Sequence, residues 1–115
     1  MKNVLATYAF KPRDWYDLGR SLQTDHPFLA GLCFKAAVEH DRAFLDAWYE
    51  LACCQERLGL TEAAVKTVRV LTEAAPYYGA ARGMLIRLLL RQGKDVEARR
   101  VAWDGGKVFH RRQWM

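Results

Sequence analysis

The sequence predicts an all-α domain, and three observations carry that prediction. Apolar residues make up 51% of the chain, yet only eight glycines and three prolines interrupt it, leaving long runs to helix formers. Strict alternation of apolar and polar residues, the mark of a half-buried strand, is scarce. Most decisively, the chain repeats itself. Ala30, Ala64 and Ala98 stand at one constant interval, and Phe34, Val68 and Ala102 keep it too, each four positions after its alanine. Leu51 and Leu85 share that interval, as do Gly59 and Gly93. Trp15-x-x-Leu18-Gly19 returns as Trp48-x-x-Leu51-Ala52 one position early, a shortening that fits the turn "TDHP".

Each period divides into two helices. The first unit is expected to run over roughly 13–24, turn at "TDHP", and resume at Pro27, a residue suited to the first turn of a helix, as far as about His40. In the second unit a helix over about 43–58 ends at Gly59, and Thr61 is the expected N-cap of the next. That helix stops before Pro76, whose ring cannot continue it and which restricts Ala75 as well. The third unit covers about 78–92, ends at Gly93 and restarts with Asp95 as N-cap. Ala64, Val68, Leu71 and Ala75 form one apolar stripe, and Trp48, Leu51, Ala52 and Gln55 a second. Gly19, Ala52 and the three repeated alanines are small where helices must approach closely. A pair with such stripes cannot bury both faces alone, so neighbouring pairs must cover one another.

Around this repeat domain, residues 12–104, lie an N-terminal segment 1–11, with Val4, Leu5 and Tyr8 on a short apolar face, and a C-terminal tail 105–115. The tail is expected to begin at a break in the helix at Gly105-Gly106. It sets Phe109 and Trp114 among basic residues that include Arg111 and Arg112. The plain reading is a cap on the last repeat; the sharper one is a docking tail for a partner or a second copy. The net charge of +5 is uneven: residues 82–115 hold nine Lys/Arg against three Asp/Glu, while residues 1–81 hold nine against ten. Such a charge run is a solvated basic face or an attraction to an acidic partner.

Several classes are excluded or disfavoured. No apolar run approaches the ~20 residues that span a bilayer, and the N-terminal apolar stretch is too short for a secretory signal. Three cysteines fit a reducing compartment, so a cytoplasmic location is expected. His26, His40 and His110 form no metal-binding spacing, and no nucleophile, base and charge stabiliser converge. Neither an enzyme, a metal nor a cofactor is expected. Nucleic-acid binding would rest on the basic aromatic tail alone and is disfavoured.

The repeat resembles the tetratricopeptide family, whose pattern is Trp-x-x-Leu-Gly-x-x-Tyr, then Ala-x-x-x-Phe, then Pro, over about 34 residues. The first unit offers Trp15, Leu18, Gly19, Leu22, Ala30 and Phe34. The second offers Trp48, Leu51, Ala52, Gln55, Ala64, Val68 and Pro76, and the third only Leu85, Leu89, Gly93, Ala98 and Ala102. Leu22 and Gln55 stand in place of the tyrosine and Arg82 in place of the tryptophan, so the third repeat is degenerate or capping. The resemblance implies a right-handed α-solenoid of about three repeats whose first helices line a concave groove for a partner protein. By similarity, that groove holds Arg13, Tyr16, Arg20, Tyr49, Cys53, Glu56, Arg87 and Arg91. Tyr16 and Tyr49 would be apolar anchors, and the arginines would fork onto carboxylates. A peptide or helix, acidic in character, is the expected ligand, bound by an adaptor, scaffold or chaperone-like subunit. The alternative is a structural subunit, or a homo-oligomer, held through its ends and tail. One subfamily reads chaperone C-termini through Lys and Asn clamp positions. Here those positions hold Tyr16, Arg20, Glu50, Ala80 and Met84, and the clamp does not match.

The adjacent pair Cys53-Cys54 invites a redox reading. Neighbouring helical residues point about 100° apart, so the two cannot serve one site. Cys54 is expected in packing and Cys53 on the groove side.

Overall fold

A computed structural model describes the backbone of residues 10–114 and the side chains of residues 10–104. Among the described residues six helices follow one another: α1 Pro12–Leu22, α2 Pro27–His40, α3 Leu45–Arg57, α4 Thr61–Ala74, α5 Gly79–Arg91 and α6 Asp95–Trp114. The substantial packing is sequential, α1 on α2, α2 on α3 and so on to α5 on α6. That is the contact pattern of a solenoid of three helical hairpins.

The repeated glycines account for the repeated turns. Gly59 and Gly93 adopt φ of +78° and +73°, the left-handed conformation that ends a helix most cheaply at glycine. Leu60 N–H donates to Gln55 C=O and Gly59 N–H to Glu56 C=O; one period on, Lys94 and Gly93 donate in the same way to Leu89 and Leu90. These paired bonds satisfy carbonyls that the helix end leaves open.

The same turns correct the expected caps. Leu60 and Lys94 accept the first bonds of α4 and α6, from Ala64 N–H and Ala98 N–H, so Thr61 and Asp95 are already helical. Once glycine has closed one helix, a single residue remains before the next begins. Elsewhere the boundaries fall close to expectation: Pro27 opens α2, and α4 ends at Ala74 ahead of Pro76. The expected break at Gly105-Gly106 is absent from the backbone, because α6 runs through both glycines. Residues 1–9, with Val4, Leu5 and Tyr8, lie outside the described residues, as do the side chains of Phe109, Arg111, Arg112 and Trp114.

The core has two parts. Tyr16, Phe34, Val38, Leu51 and Cys54 are buried among α1, α2 and α3; Val68, Leu71, Met84, Leu88 and Leu89 are buried among the later helices. Trp48 packs against both clusters, which makes α3 the shared wall. The repeated alanines, Ala30, Ala64 and Ala98, are at most 2% exposed, as close helix approach requires. Gly19 is tighter still: a Cβ there would lie 2.7 Å from Phe34 Cε1.

Arg82 explains itself in the repeat frame. Trp48 Nε1 donates to the carbonyl of Arg42 at 2.9 Å, and Arg82, one period later, donates from Nη2 to the carbonyl of Pro76 at 3.4 Å. Its Nη1 also reaches Val101 C=O at 3.2 Å, tying α5 to α6. A long donor has replaced the indole while keeping its bond to the equivalent upstream carbonyl.

Candidate partner-binding face

The first helices of the three hairpins, α1, α3 and α5, carry the residues predicted to line a groove. Side chains link them across one face. Tyr16 of α1 stacks against Phe44 at the start of α3, with ring centroids 4.9 Å apart. One repeat on, Tyr49 of α3 meets Tyr78 at the start of α5 at 5.7 Å. Phe44 and Tyr78 lie one full period apart, so this ring pairing is itself a repeated feature. Tyr78 completes it by donating its hydroxyl to Asp46 Oδ1 at 3.0 Å.

Charge follows the same order. The middle helix presents carboxylates, and its neighbours present guanidiniums. Arg20 Nε lies 3.6 Å from Glu50. Arg87 forks onto Glu56 with two bonds of 3.1 and 2.9 Å, and Arg91 Nη1 adds a third contact at 3.0 Å. Glu56 is only 13% exposed whereas the two guanidiniums are half-exposed. Hydrogen bonding from Arg87, against a burial that opposes it, holds the Glu56 carboxyl below its ordinary range. Glu50, by contrast, is pushed upward, chiefly by burial and despite Arg20.

These contacts revise two roles. Tyr16, expected as an exposed anchor, is 8% exposed; its ring faces Phe34 and Phe44, and its hydroxyl accepts from Arg20 Nη1 at 3.1 Å. The apolar surface of that ring is spent on the core. Arg20, Arg87 and Arg91, expected to fork onto a partner's carboxylates, already engage Glu50 and Glu56 of the chain itself. Arg13 pairs with Asp17 at 3.2 Å one turn along α1, in full view of solvent. What the face offers outward is the partly buried Tyr49 and Tyr78, the half-exposed Arg87 and Arg91, and an open shelf at Gly83, where an added Cβ would touch nothing within 4 Å.

The paired cysteines separate as helix geometry demands. Cys54 is 3% exposed in the first core cluster, and burial pushes its thiol up to about 11. Cys53 is half-buried beside Tyr49, and its thiol also shifts upward, first through burial. Both shifts disfavour the thiolate, so neither sulfur has the electropositive setting of a reactive cysteine. All three cysteines are free.

Phe44, Tyr78 and Glu50 are the members of this face that sequence reasoning missed as participants, whereas similarity to the family places Asp46 in the groove. The one-period offset from Phe44 to Tyr78 was a usable signal. The acidic character of α3 beside α5, whose charged residues are all arginine, was another.

No family model matches the chain, and neither does any curated protein sequence. Solved structures do. Two crystal structures of MamA, a protein of tetratricopeptide-like fold, superpose with TM-scores of 0.79 and 0.80 at 19% and 17% identity. Each match covers 90% of this chain but only 61% and 57% of MamA, so the chain spans about three fifths of that protein. At this identity the likeness establishes the architecture: the chain is an all-α helical-repeat solenoid of the tetratricopeptide-like kind.

Proposed function

We propose that this protein is a non-enzymatic interaction module, an adaptor or chaperone-like subunit that holds a peptide or helix of a partner protein across the α1–α3–α5 face. The observation that carries this reading is the patch formed by Tyr49, Tyr78, Gly83, Arg87 and Arg91. Tyrosines offer area with a polar edge at small entropic cost, and arginine is enriched where binding energy concentrates. Glu56 fixes both guanidiniums in place while leaving most of their N–H donors unused, which lowers the cost of ordering them on binding. A partner with apolar anchors and acceptor groups, carboxylate or backbone carbonyl, suits that set. The fold class supports protein partners in general. A cytoplasmic setting belongs to the same reading and draws on the three unpaired thiols.

The test is co-purification from native cells, then titration of the recovered partner. Tyr49→Ala with Arg87→Ala should weaken binding by at least about tenfold, the size of a modest hot spot. Unchanged affinity in a variant with unchanged circular dichroism would dispose of the reading.

A second reading has one observation in its favour. α6 is 20 residues long against 13 in α5, so its backbone outruns the helix it packs on. In this reading the end of α6, with Phe109, Arg111, Arg112 and Trp114, docks the chain into a larger assembly or a second copy. Deleting residues 105–115 would then abolish association and leave binding at the α1–α3–α5 face intact.

A further inference from the structure

On the other side of α3, where Leu51, Cys54 and Gln55 point away from Tyr49 and Glu56, α2 and α4 border a second furrow. α2 is apolar on nearly every side, the composition of a helix buried all round, yet Phe28 and Leu32 are 63% and 50% exposed. They stand beside Leu58 and Leu60, themselves 37% and 50% exposed, over a floor of Gly31 and Cys54. This apolar hollow of about 110 Å³ adjoins a larger cleft of about 410 Å³, with Lys35, Leu51 and Gln55 in the walls of both. The apolar hollow has one charged wall, Lys35, and no carboxylate. Along the larger cleft Glu39 and then Arg42 follow.

Phe28, Leu32, Lys35 and Glu39 sit at i, i+4, i+7 and i+11, one stripe of α2 about 16 Å long, and Arg42 continues it just past the helix end. None of the three charged side chains takes part in an ion pair among the described residues. Elsewhere ion pairs join alternate helices, Arg20 to Glu50, Arg87 and Arg91 to Glu56, and Arg69 to Glu97. A stripe reading apolar, apolar, plus, minus, plus, and left unpaired, is complementary to a helix of opposite sign.

We propose that this furrow docks an amphipathic helix of a partner protein. Its facing stripe carries an apolar anchor for the Gly31–Cys54 hollow, then a carboxylate for Lys35, a cation for Glu39 and a carboxylate for Arg42. The site is separate from the α1–α3–α5 face and does not depend on it.

A fluorescein-labelled helical peptide of about 16 residues, long enough at the rise of an α-helix to cover the stripe, provides the probe. It carries leucines one turn apart, with Glu, Lys and Glu continuing the stripe. A control peptide carries Lys, Glu and Lys instead. Fluorescence anisotropy at low salt should show the first peptide bound at least about tenfold more tightly than the control, since interface charge sets specificity. Lys35→Glu with Arg42→Glu should reverse that preference, and Leu32→Glu, at an exposed position, should abolish binding of both. Tyr49→Ala with Arg87→Ala should change nothing, which separates this site from the other face. Equal binding of the two peptides, no binding up to millimolar concentration, or indifference to Leu32→Glu overturns the proposal. So does sedimentation of the protein alone as a dimer that Leu32→Glu dissolves, because the occupant would then be a second copy.

Discussion

Gly19 and Phe34 show how much a single residue decides in a stacked repeat. Phe34 is fully buried and packs at a tilt against Tyr16, and its ring edge lies where a side chain at position 19 would go. The ring cannot retreat into solvent, so Gly19→Ala should destabilise the protein by about 1–3 kcal/mol, the ordinary cost of overfilling a packed site, read from urea unfolding. Small size at position 19 was legible in the sequence because the family-like pattern placed it there. The fate of Tyr16 was not legible: its register marked it as facing the partner side, but Phe34 of its own hairpin and Phe44 from the next both pack on its ring. The same holds for the cysteines. Helix geometry alone separated Cys53 from Cys54, but the shift of Cys54 to about 11 depends on the core that closes over it.

At the scale of elements, the turns at Gly59 and Gly93 are the most repetitive feature of the chain. Both glycines have positive φ, and an added Cβ at either would meet nothing within 4 Å. Substitution there therefore isolates the backbone cost. Gly59→Ala and Gly93→Ala should each lose roughly 1 kcal/mol, the penalty of a left-handed L-residue, with Asn at the same positions costing less. Thermal unfolding of the four single variants checks this, and equal losses for Ala and Asn would point to a different origin. Helix existence and order were readable from periodicity, and the glycines marked where two of the helices stop. The N-caps were misplaced by one position because sequence reasoning sought a hydroxyl or carboxylate at Thr61 and Asp95. The glycine turn had already committed Leu60 and Lys94 to that role. Gly105-Gly106 reads as a break by propensity, yet the α6 backbone stays helical through it. Propensity is a weak prior beside tertiary context.

At the scale of the whole molecule, long side chains join the first helices of successive hairpins. The Glu56 contacts with Arg87 and Arg91 clasp α3 to α5, and they are titratable. The folded-state pKa of Glu56 is lowered, so its contribution is present above the unfolded value of about 4.3 and is lost as pH falls through the folded value. Because both guanidiniums are half-exposed, the contribution is screened, a few tenths to about 1 kcal/mol. Glu56→Gln should be less stable than the parent chain at pH 7 by that amount, and the difference should shrink towards zero near pH 3. Urea midpoints measured across that range give the result, and a difference independent of pH would assign the effect to packing.

The sequence by itself determined the all-α class, the number of hairpins and the stripes that bury, because a constant period repeats the same local instructions and each hairpin must cover its neighbour. It also placed the candidate groove residues on the first helices of the hairpins. Only the tertiary structure decided which of them still face outward. Burial of Tyr16 and neutralisation of the arginines are contacts between repeats, set by the distance and angle at which one hairpin meets the next. No single period encodes that geometry.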